Sequence, residues 1–242
     1  MTQKNDISLD FSQDKVVGIL GGMGPEATAD FFSKLLALTP ASKDQEHLRI
    51  LIDSNGKIPD RTEAILQNGA SPLPVLCEMA RGLQASGADV IVIPCNTAHY
   101  FHQGIQECIQ IPLLHMQHEV FKFMTINYPE AKTIGLLATE ATIKTELYQS
   151  LASKKGLCVT FPSEEDQANL VTKAIKLVKS GKHEEARVLI LQAAHVLIKQ
   201  GADLVIAGCT EIPLVLNNGD LEKPVIDSAL VLAKATFEFA RA

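Results

Sequence analysis

The chain has 242 residues, 46% of them hydrophobic, and a formal net charge of -6. That is enough apolar material for a substantial buried core, either as one large domain or as two lobes of about 110 to 120 residues. The acidic balance and the lack of any basic run argue against a nucleic-acid surface, and no apolar stretch is long enough to span a bilayer.

Residues 1–14 read as a polar N-terminal tail without the apolar core of a signal peptide, so a cytoplasmic protein is expected. A β-branched run then predicts a strand over 16–20. It leads into GGMGPEAT at 21–28, which lacks the Lys-Ser/Thr of a P-loop and the spacing of a dinucleotide fingerprint. No cofactor is expected from it. Its glycines suit close backbone approach to a cleft floor, with Met23 and Pro25 shaping the pocket and Pro25 opening a helix over 26–38. Further strands are predicted at 49–53, 90–94 and 112–114, with a helix at 73–86. In the second half strands fall at 133–137, 157–161, 203–207 and 224–226, and helices at 140–154, 164–180, 184–200 and 228–240.

The two halves repeat one another. Residues 87–97 read GADVIVIPCNT and residues 201–211 read GADLVIAGCTE, so Cys95 and Cys209 hold equivalent places. Gly18 precedes Cys95 by 77 positions and Gly135 precedes Cys209 by 74. A period of roughly 115 residues is too long for a solenoid unit and indicates duplicated lobes. Near-continuous apolar strands alternating with helices give an α/β fold: two pseudo-symmetric lobes, each with a mostly parallel four-stranded sheet flanked by helices and a cleft between them. The expected division is 15–115 plus 228–242 for the first lobe and 116–227 for the second.

Ligands of such sheets bind at the carboxyl ends of strands, where Cys95 and Cys209 both fall. A helix start beside each sulfur would ease thiolate formation. Cys77, Cys108 and Cys158 have the simpler reading of free, small buried hydrophobes, and no Cys-x-x-Cys pair occurs among the five cysteines. One thiol from each lobe facing a shared cleft is the arrangement that removes a proton from one face of a stereocentre and returns one to the other. The duplication thus suggests a racemase or epimerase.

GILGGMGPEAT, IPDRT, PCNTAHYF, GLLATEAT and GCTEIPLV resemble, in order, the motifs of the aspartate/glutamate racemase family, whose members work without pyridoxal phosphate. The likeness runs from about residue 16 to 240 and is greatest to aspartate racemases. It implies that Cys95 and Cys209 are the two acid/base residues and that the partner is a small amino-acid substrate. It also implies a homodimer.

Donors to the substrate carboxylate are expected from Asn96, Thr97 and the backbone of Ala98, and from Thr210; the resemblance adds Thr139, leaving Thr142 to cap the following helix. Glu211 stands where glutamate-specific relatives carry histidine. It is read as orienting the substrate ammonium or assisting the Cys209 proton, against a first-turn carboxylate that complements a helix dipole. Arg61 resembles the arginine that meets the distal carboxylate of aspartate, and Lys179 the lysine that joins it. Ile175 replaces a tyrosine found in some aspartate racemases.

Cys95, His99 and His102 follow i, i+4, i+7 spacing, a pattern that could hold a metal on a continuous helix. No metal is expected, because Cys95 should precede the helix. His115 and His118 are left unassigned. The competing functions are a non-catalytic protein that binds a dicarboxylic amino acid and an isomerase or racemase of another small carboxylate.

Overall fold

A computed structural model describes residues 14–242, so all but the last residue of the tail assigned to 1–14 lies outside the described residues. The first sheet contains β1 (Val17–Gly21), β2 (Ile50–Ser54) and β3 (Val90–Val92), and the second β4 (Thr133–Ala138), β5 (Cys158–Thr160), β6 (Leu204–Gly208) and β7 (Val225–Asp227). Their orders are β2-β1-β3 and β5-β4-β6-β7, with every pairing parallel. The helices are α1 (Pro25–Leu38), α2 (Arg61–Leu66), α3 (Leu73–Ala85), α4 (His102–Gln106), α5 (Met116–Asn127), α6 (Glu140–Lys144) and α7 (Gln149–Ser153). They continue with α8 (Glu164–Asp166), α9 (Lys173–Lys179), α10 (His183–Lys199) and α11 (Ser228–Ala240).

Three expectations are corrected. The strand expected at 112–114 makes only a single bridge, Ile91 with Leu113, so the first sheet has three strands rather than four. Pro112 has no N–H to continue the ladder and serves only as acceptor, from Ile91. The helix expected over 140–154 is split into α6 and α7, with Glu146 in a left-handed conformation between them (φ 54°). The one expected over 164–180 is interrupted by a π-helical stretch, 167–172, between α8 and α9.

The repeated Gly-Ala-Asp has a structural reason in both lobes. Gly87 and Gly201 take left-handed conformations (φ 94° and 92°) just beyond α3 and α10, which only glycine does without cost. Ala88 and Ala202 then pack on the central strands where these carry glycine. A Cβ at Gly18 would come within 3.0 Å of that of Ala88, and one at Gly135 within 3.1 Å of that of Ala202. Asp89 accepts from the Val16 N–H at 2.7 Å and Asp203 from the Thr133 N–H at 2.9 Å, each tying the start of a central strand to the strand that leads to a cysteine. The N–H groups of Lys132 and Thr133 together hold the Asp203 carboxyl below the usual range.

The helix that ends the chain returns to cover the first sheet, and α5, just before β4, covers the second. Leu232 and Ala233 of α11 pack with Val17, Ile19 and Val92 of the first sheet, while Val120 and Met124 of α5 pack with Ile134 and Leu204 of the second. Val231 of α11 also enters the core of the second sheet, and α11 packs along α1 and α5. This interlocking fixes how the carboxyl ends of the two sheets face each other.

Candidate active site

Cys95 lies three residues beyond β3 and Cys209 directly after β6, and both line one cleft where the two sheets' carboxyl ends meet. The same cleft is lined by Arg61, Asn96, Thr97, Thr139, Lys179, Thr210 and Glu211. Thus every side chain singled out in the sequence as a site candidate converges there. Ala98 is wholly buried behind the wall, and it contributes a backbone N–H to the Cys95 sulfur.

The two sulfurs have different neighbours. Cys209 Sγ donates to Glu211 Oε2 at 2.9 Å, and both residues are buried. Burial pushes the Cys209 thiol well up, and the Glu211 carboxylate pushes it further, while the Glu211 N–H and Lys179 pull the other way. Burial also raises Cys95, with Arg61 opposing it more strongly than Glu211 adds to it. The N–H groups that follow the cysteines do favour the thiolate, that of Ala98 at Cys95 and that of Glu211 at Cys209, but burial outweighs them and both thiols are raised. Each cysteine leads only into a short 3₁₀ turn, 97–101 or 212–214, whose few aligned peptides do not outweigh desolvation.

Three hydroxyls close the floor. The Oγ1 atoms of Thr97, Thr139 and Thr142 form a triangle with sides of 2.9, 3.0 and 3.0 Å, joining the segment after Cys95 to the start of α6. Thr139, not Thr142, is the helix cap, accepting from the Thr142 N–H at 3.2 Å. Thr142 is fully buried and belongs to the triangle, which nothing in its sequence position signals.

Asn96 is clamped from behind. Its Nδ2 donates to Ser228 Oγ at 3.0 Å, and its Oδ1 accepts from the fully buried Tyr148 hydroxyl at 2.6 Å. Ser228 in turn donates to the Ala207 carbonyl at 2.7 Å, two residues before Cys209. Tyr148 and Ser228 are distant in sequence, and no motif marks either of them.

Arg61 opens α2, where Asp60 caps the helix by accepting from the Thr62 and Glu63 N–H groups at 2.8 and 3.0 Å. The Asp-x-x-Glu spacing of Asp60 and Glu63 was a legible signal for this unpredicted helix. Arg61 Nη1 donates to the Pro59 carbonyl at 3.1 Å, and its Nε is buried without a partner. Lys179 ends α9, exposed along its length but reaching the cleft wall. Ile175 is buried among the apolar residues that also surround Cys209. Met23, from the glycine-rich loop, lines the cleft as expected, together with Asp60 and Thr62.

The Cys95-His99-His102 metal reading does not survive the geometry. His99 Nδ1 donates to the Cys95 carbonyl at 2.8 Å and its Nε2 accepts from the Met116 N–H at 3.1 Å, so both nitrogens are occupied. His99, His102, His115 and His118 instead pack ring on ring, with centroids 4.0 to 6.0 Å apart along the series.

The remaining cysteines also depart from expectation. Cys77 and Cys108 are bonded as a disulfide, tying α3 to the segment after α4, and Cys158 is exposed on β5 rather than buried. The pairing joins residues 31 apart in sequence that only the packing of α3 on α4 brings together.

A model of the Asp/Glu/hydantoin racemase family matches residues 20–236. The chain belongs to that family. It is an isomerase, an amino-acid racemase of the kind that works without pyridoxal phosphate. The broad specificity amino-acid racemase RacX of Bacillus subtilis is 32% identical over 225 residues, covering 91% of this chain and 96% of that protein. The aspartate racemase of Picrophilus torridus superposes with a TM-score of 0.85 at 31% identity, covering 93% of this chain and 94% of its own. An aspartate racemase homologue from Pyrococcus horikoshii, at 24% identity and a TM-score of 0.75, shares the fold, covering 94% of this chain and all of its own. No helix among the described residues is long and apolar enough to cross a membrane.

Proposed function

We propose that the chain interconverts L- and D-aspartate, with glutamate as the alternative substrate, by two-base proton transfer between Cys95 and Cys209. The observation that carries this reading is that two thiols from pseudo-equivalent positions line one cleft with Arg61 and Lys179. One cysteine enters as thiolate and takes the Cα proton. The electron pair left on Cα spreads into the α-carboxylate, and the opposite thiol returns a proton to the other face. The enzyme finishes with its thiol and thiolate exchanged, ready for the reverse direction.

Since burial raises both thiols, the thiolate has to be made within the site. Glu211, already accepting from Cys209 Sγ, is the base for that sulfur, and Arg61 stabilises the charge on the Cys95 side. The hydroxyls of Thr97, Thr139 and Thr210 and the N–H groups after Cys95 supply hydrogen bonds to the α-carboxylate as charge builds on it. Arg61 offers a fork that a side-chain carboxylate can meet in bidentate fashion, with Lys179 as second cation.

The reading is tested by incubating L- and D-aspartate, and in parallel glutamate, with the protein in heavy water. Deuterium should enter Cα and optical activity should decay. Cys95→Ser and Cys209→Ser should each abolish racemisation; full activity in either single variant would sink the two-base assignment. Exchange with no acidic amino acid would overturn the acidic-substrate assignment. The resemblance also carries a homodimer in the cytoplasm, and sedimentation equilibrium measures the first of these.

A further inference from the structure

The peptide that follows Cys95 and the strand that leads to Cys209 belong to different halves of the chain, yet one buried hydroxyl bonds to both. Ser228 Oγ donates to the Ala207 carbonyl at 2.7 Å and accepts from Asn96 Nδ2 at 3.0 Å. A hydroxyl has one hydrogen to give and an amide nitrogen can only donate, so the direction of both bonds is fixed. Asn96 adjoins Cys95. Ala207 stands two residues before Cys209 in β6, paired with Leu137 on one side and Asp227 on the other. Two hydrogen bonds through Ser228 therefore reach from the neighbour of one cysteine to the strand that carries the other.

Ser228 is placed for this by opening α11, which leaves the second sheet at Asp227 and goes on to pack against the first. Asp227 caps that helix, accepting from the Ala229 and Leu230 N–H groups at 2.8 and 3.0 Å, and so holds its first turn in place. The start of α5 meets the same point, where Gln117 Nε2 donates to the Asn96 carbonyl at 3.2 Å. Ser228 and Gln117 are both wholly buried. Burial raises the Tyr148 hydroxyl, which stays a donor to Asn96, and a charge on Cys209 would raise it further. The cluster thus lies within the field of the second sulfur as well as beside the first.

We propose that Ser228 is a positioning residue for racemisation, whose two hydrogen bonds set the separation of Cys95 and Cys209 across the substrate. The inference rests on the two-base reading above, because only a reaction that uses both sulfurs on one Cα depends on their spacing. Ser228 stands behind the cleft wall and acts through Asn96 and Ala207. The side chains that line the cleft stay in place without it, so the loss falls on proton transfer rather than on binding. Displacing a reacting group by about 1 Å costs about 10²-fold in rate, so a small change in spacing is measurable.

The experiment compares Ser228→Ala with Thr236→Val in the full chain, following aspartate racemisation and urea unfolding together. Thr236 is a wholly buried hydroxyl on the same helix that donates to the Leu232 carbonyl at 2.7 Å, so its removal shows what losing such a group from α11 does in general. Ser228→Ala should lower kcat at least about tenfold while KM stays within about twofold of the wild type. Its primary isotope effect with Cα-deuterated aspartate should rise, as proton transfer becomes the slower step. Thr236→Val should lower the urea midpoint to a similar extent and leave kcat and the isotope effect unchanged. A Ser228→Ala kcat within about twofold of the wild type, a raised KM at unchanged kcat, or an equal fall of kcat in both variants assigns Ser228 to the fold alone and overturns the inference. Should Ser228→Ala fail to fold, Ser228→Cys, which keeps a weak donor and acceptor, reads the same comparison in a smaller step. No racemisation by the wild type, or full activity in Cys95→Ser or Cys209→Ser, overturns the two-base reading itself, and the role of Ser228 with it.

Discussion

Cys209 Sγ and Glu211 Oε2 lie 2.9 Å apart, in a buried hydrogen bond from thiol to carboxylate that has no counterpart at Cys95 among the described residues. The two halves of the duplication thus diverge where their chemistry is set. A carboxylate beside Cys209 raises its thiol, and a guanidinium lowers that of Cys95 against the effect of burial. Glu211→Gln removes both the charge that raises Cys209 and the acceptor for its proton. Racemisation of aspartate should fall about 10²-fold or more, the range of a lost acid/base group. Alkylation of Cys209, monitored by mass spectrometry, should begin at lower pH in the variant. Unchanged racemisation would make Glu211 a purely structural acid.

Arg61→Lys keeps the charge but loses the planar fork and the Nε donor that is buried without a partner. A charge-assisted hydrogen bond is worth about 1.5 to 3 kcal/mol, so kcat/KM for acidic substrates should drop about 10- to 100-fold. Alanine, if turned over, should be affected much less. An equal loss for both would show that Arg61 serves the fold.

Acid should destabilise the protein through its packed histidines. Burial lowers His99 to about 4 and His115 to about 2, and it lowers His102 as well; the neighbouring rings of His102 and His118 act in the same direction on both. The folded state therefore keeps these rings neutral where the unfolded chain, with an ordinary histidine near 6.5, takes up protons. More protons bound when unfolded means that stability falls as pH drops from about 6.5 towards 4. On the order of 2 kcal/mol per deeply buried histidine should be lost between pH 7 and pH 5, read by urea unfolding. His99→Gln, retaining a donor and an acceptor, should flatten that dependence. Asp220, held down to about 2 by Arg187, loses its contribution only at lower pH, as it takes up protons below the usual carboxylate range.

Tyr148→Phe removes the hydroxyl that donates to Asn96 Oδ1 at 2.6 Å in a fully buried setting. The remaining donor to that oxygen is Gln117 Nε2 at 3.4 Å, a poor substitute. Stability should fall by about 1 to 3 kcal/mol, seen as a lower urea midpoint with an unchanged slope. Because Asn96 directly follows Cys95, kcat should fall while KM stays near the wild-type value. A loss of stability without any change in kcat would confine Tyr148 to packing.

Every strand of the second sheet and the three of the first stand within about two residues of where periodicity places them, because each is a short apolar run bounded by turn residues. The helices α1, α3, α10 and α11 were equally legible, whereas α5, twelve residues long, was not expected from the sequence. The short α2 and α4 were missed as well, since so short a segment carries no clear period and forms through its surroundings. The repeated Gly-Ala-Asp and the glycine of each central strand encode local rules of backbone conformation and close packing. For that reason the sequence alone determined two parallel-sheet lobes with a cysteine after corresponding strands.

Which groups surround those cysteines was decided only by tertiary structure. The triangle of Thr97, Thr139 and Thr142 spans 45 residues, and Asn96 is held by Tyr148 and Ser228 from the other half of the chain. Desolvation likewise outweighs the N–H groups after Cys95 and Cys209, because it depends on everything packed around a sulfur. Backbone conformation is largely a property of neighbours in sequence. Burial, charge and hydrogen bonding at a site belong to neighbours in space, which the crossing of α5 and α11 between the two sheets brings together.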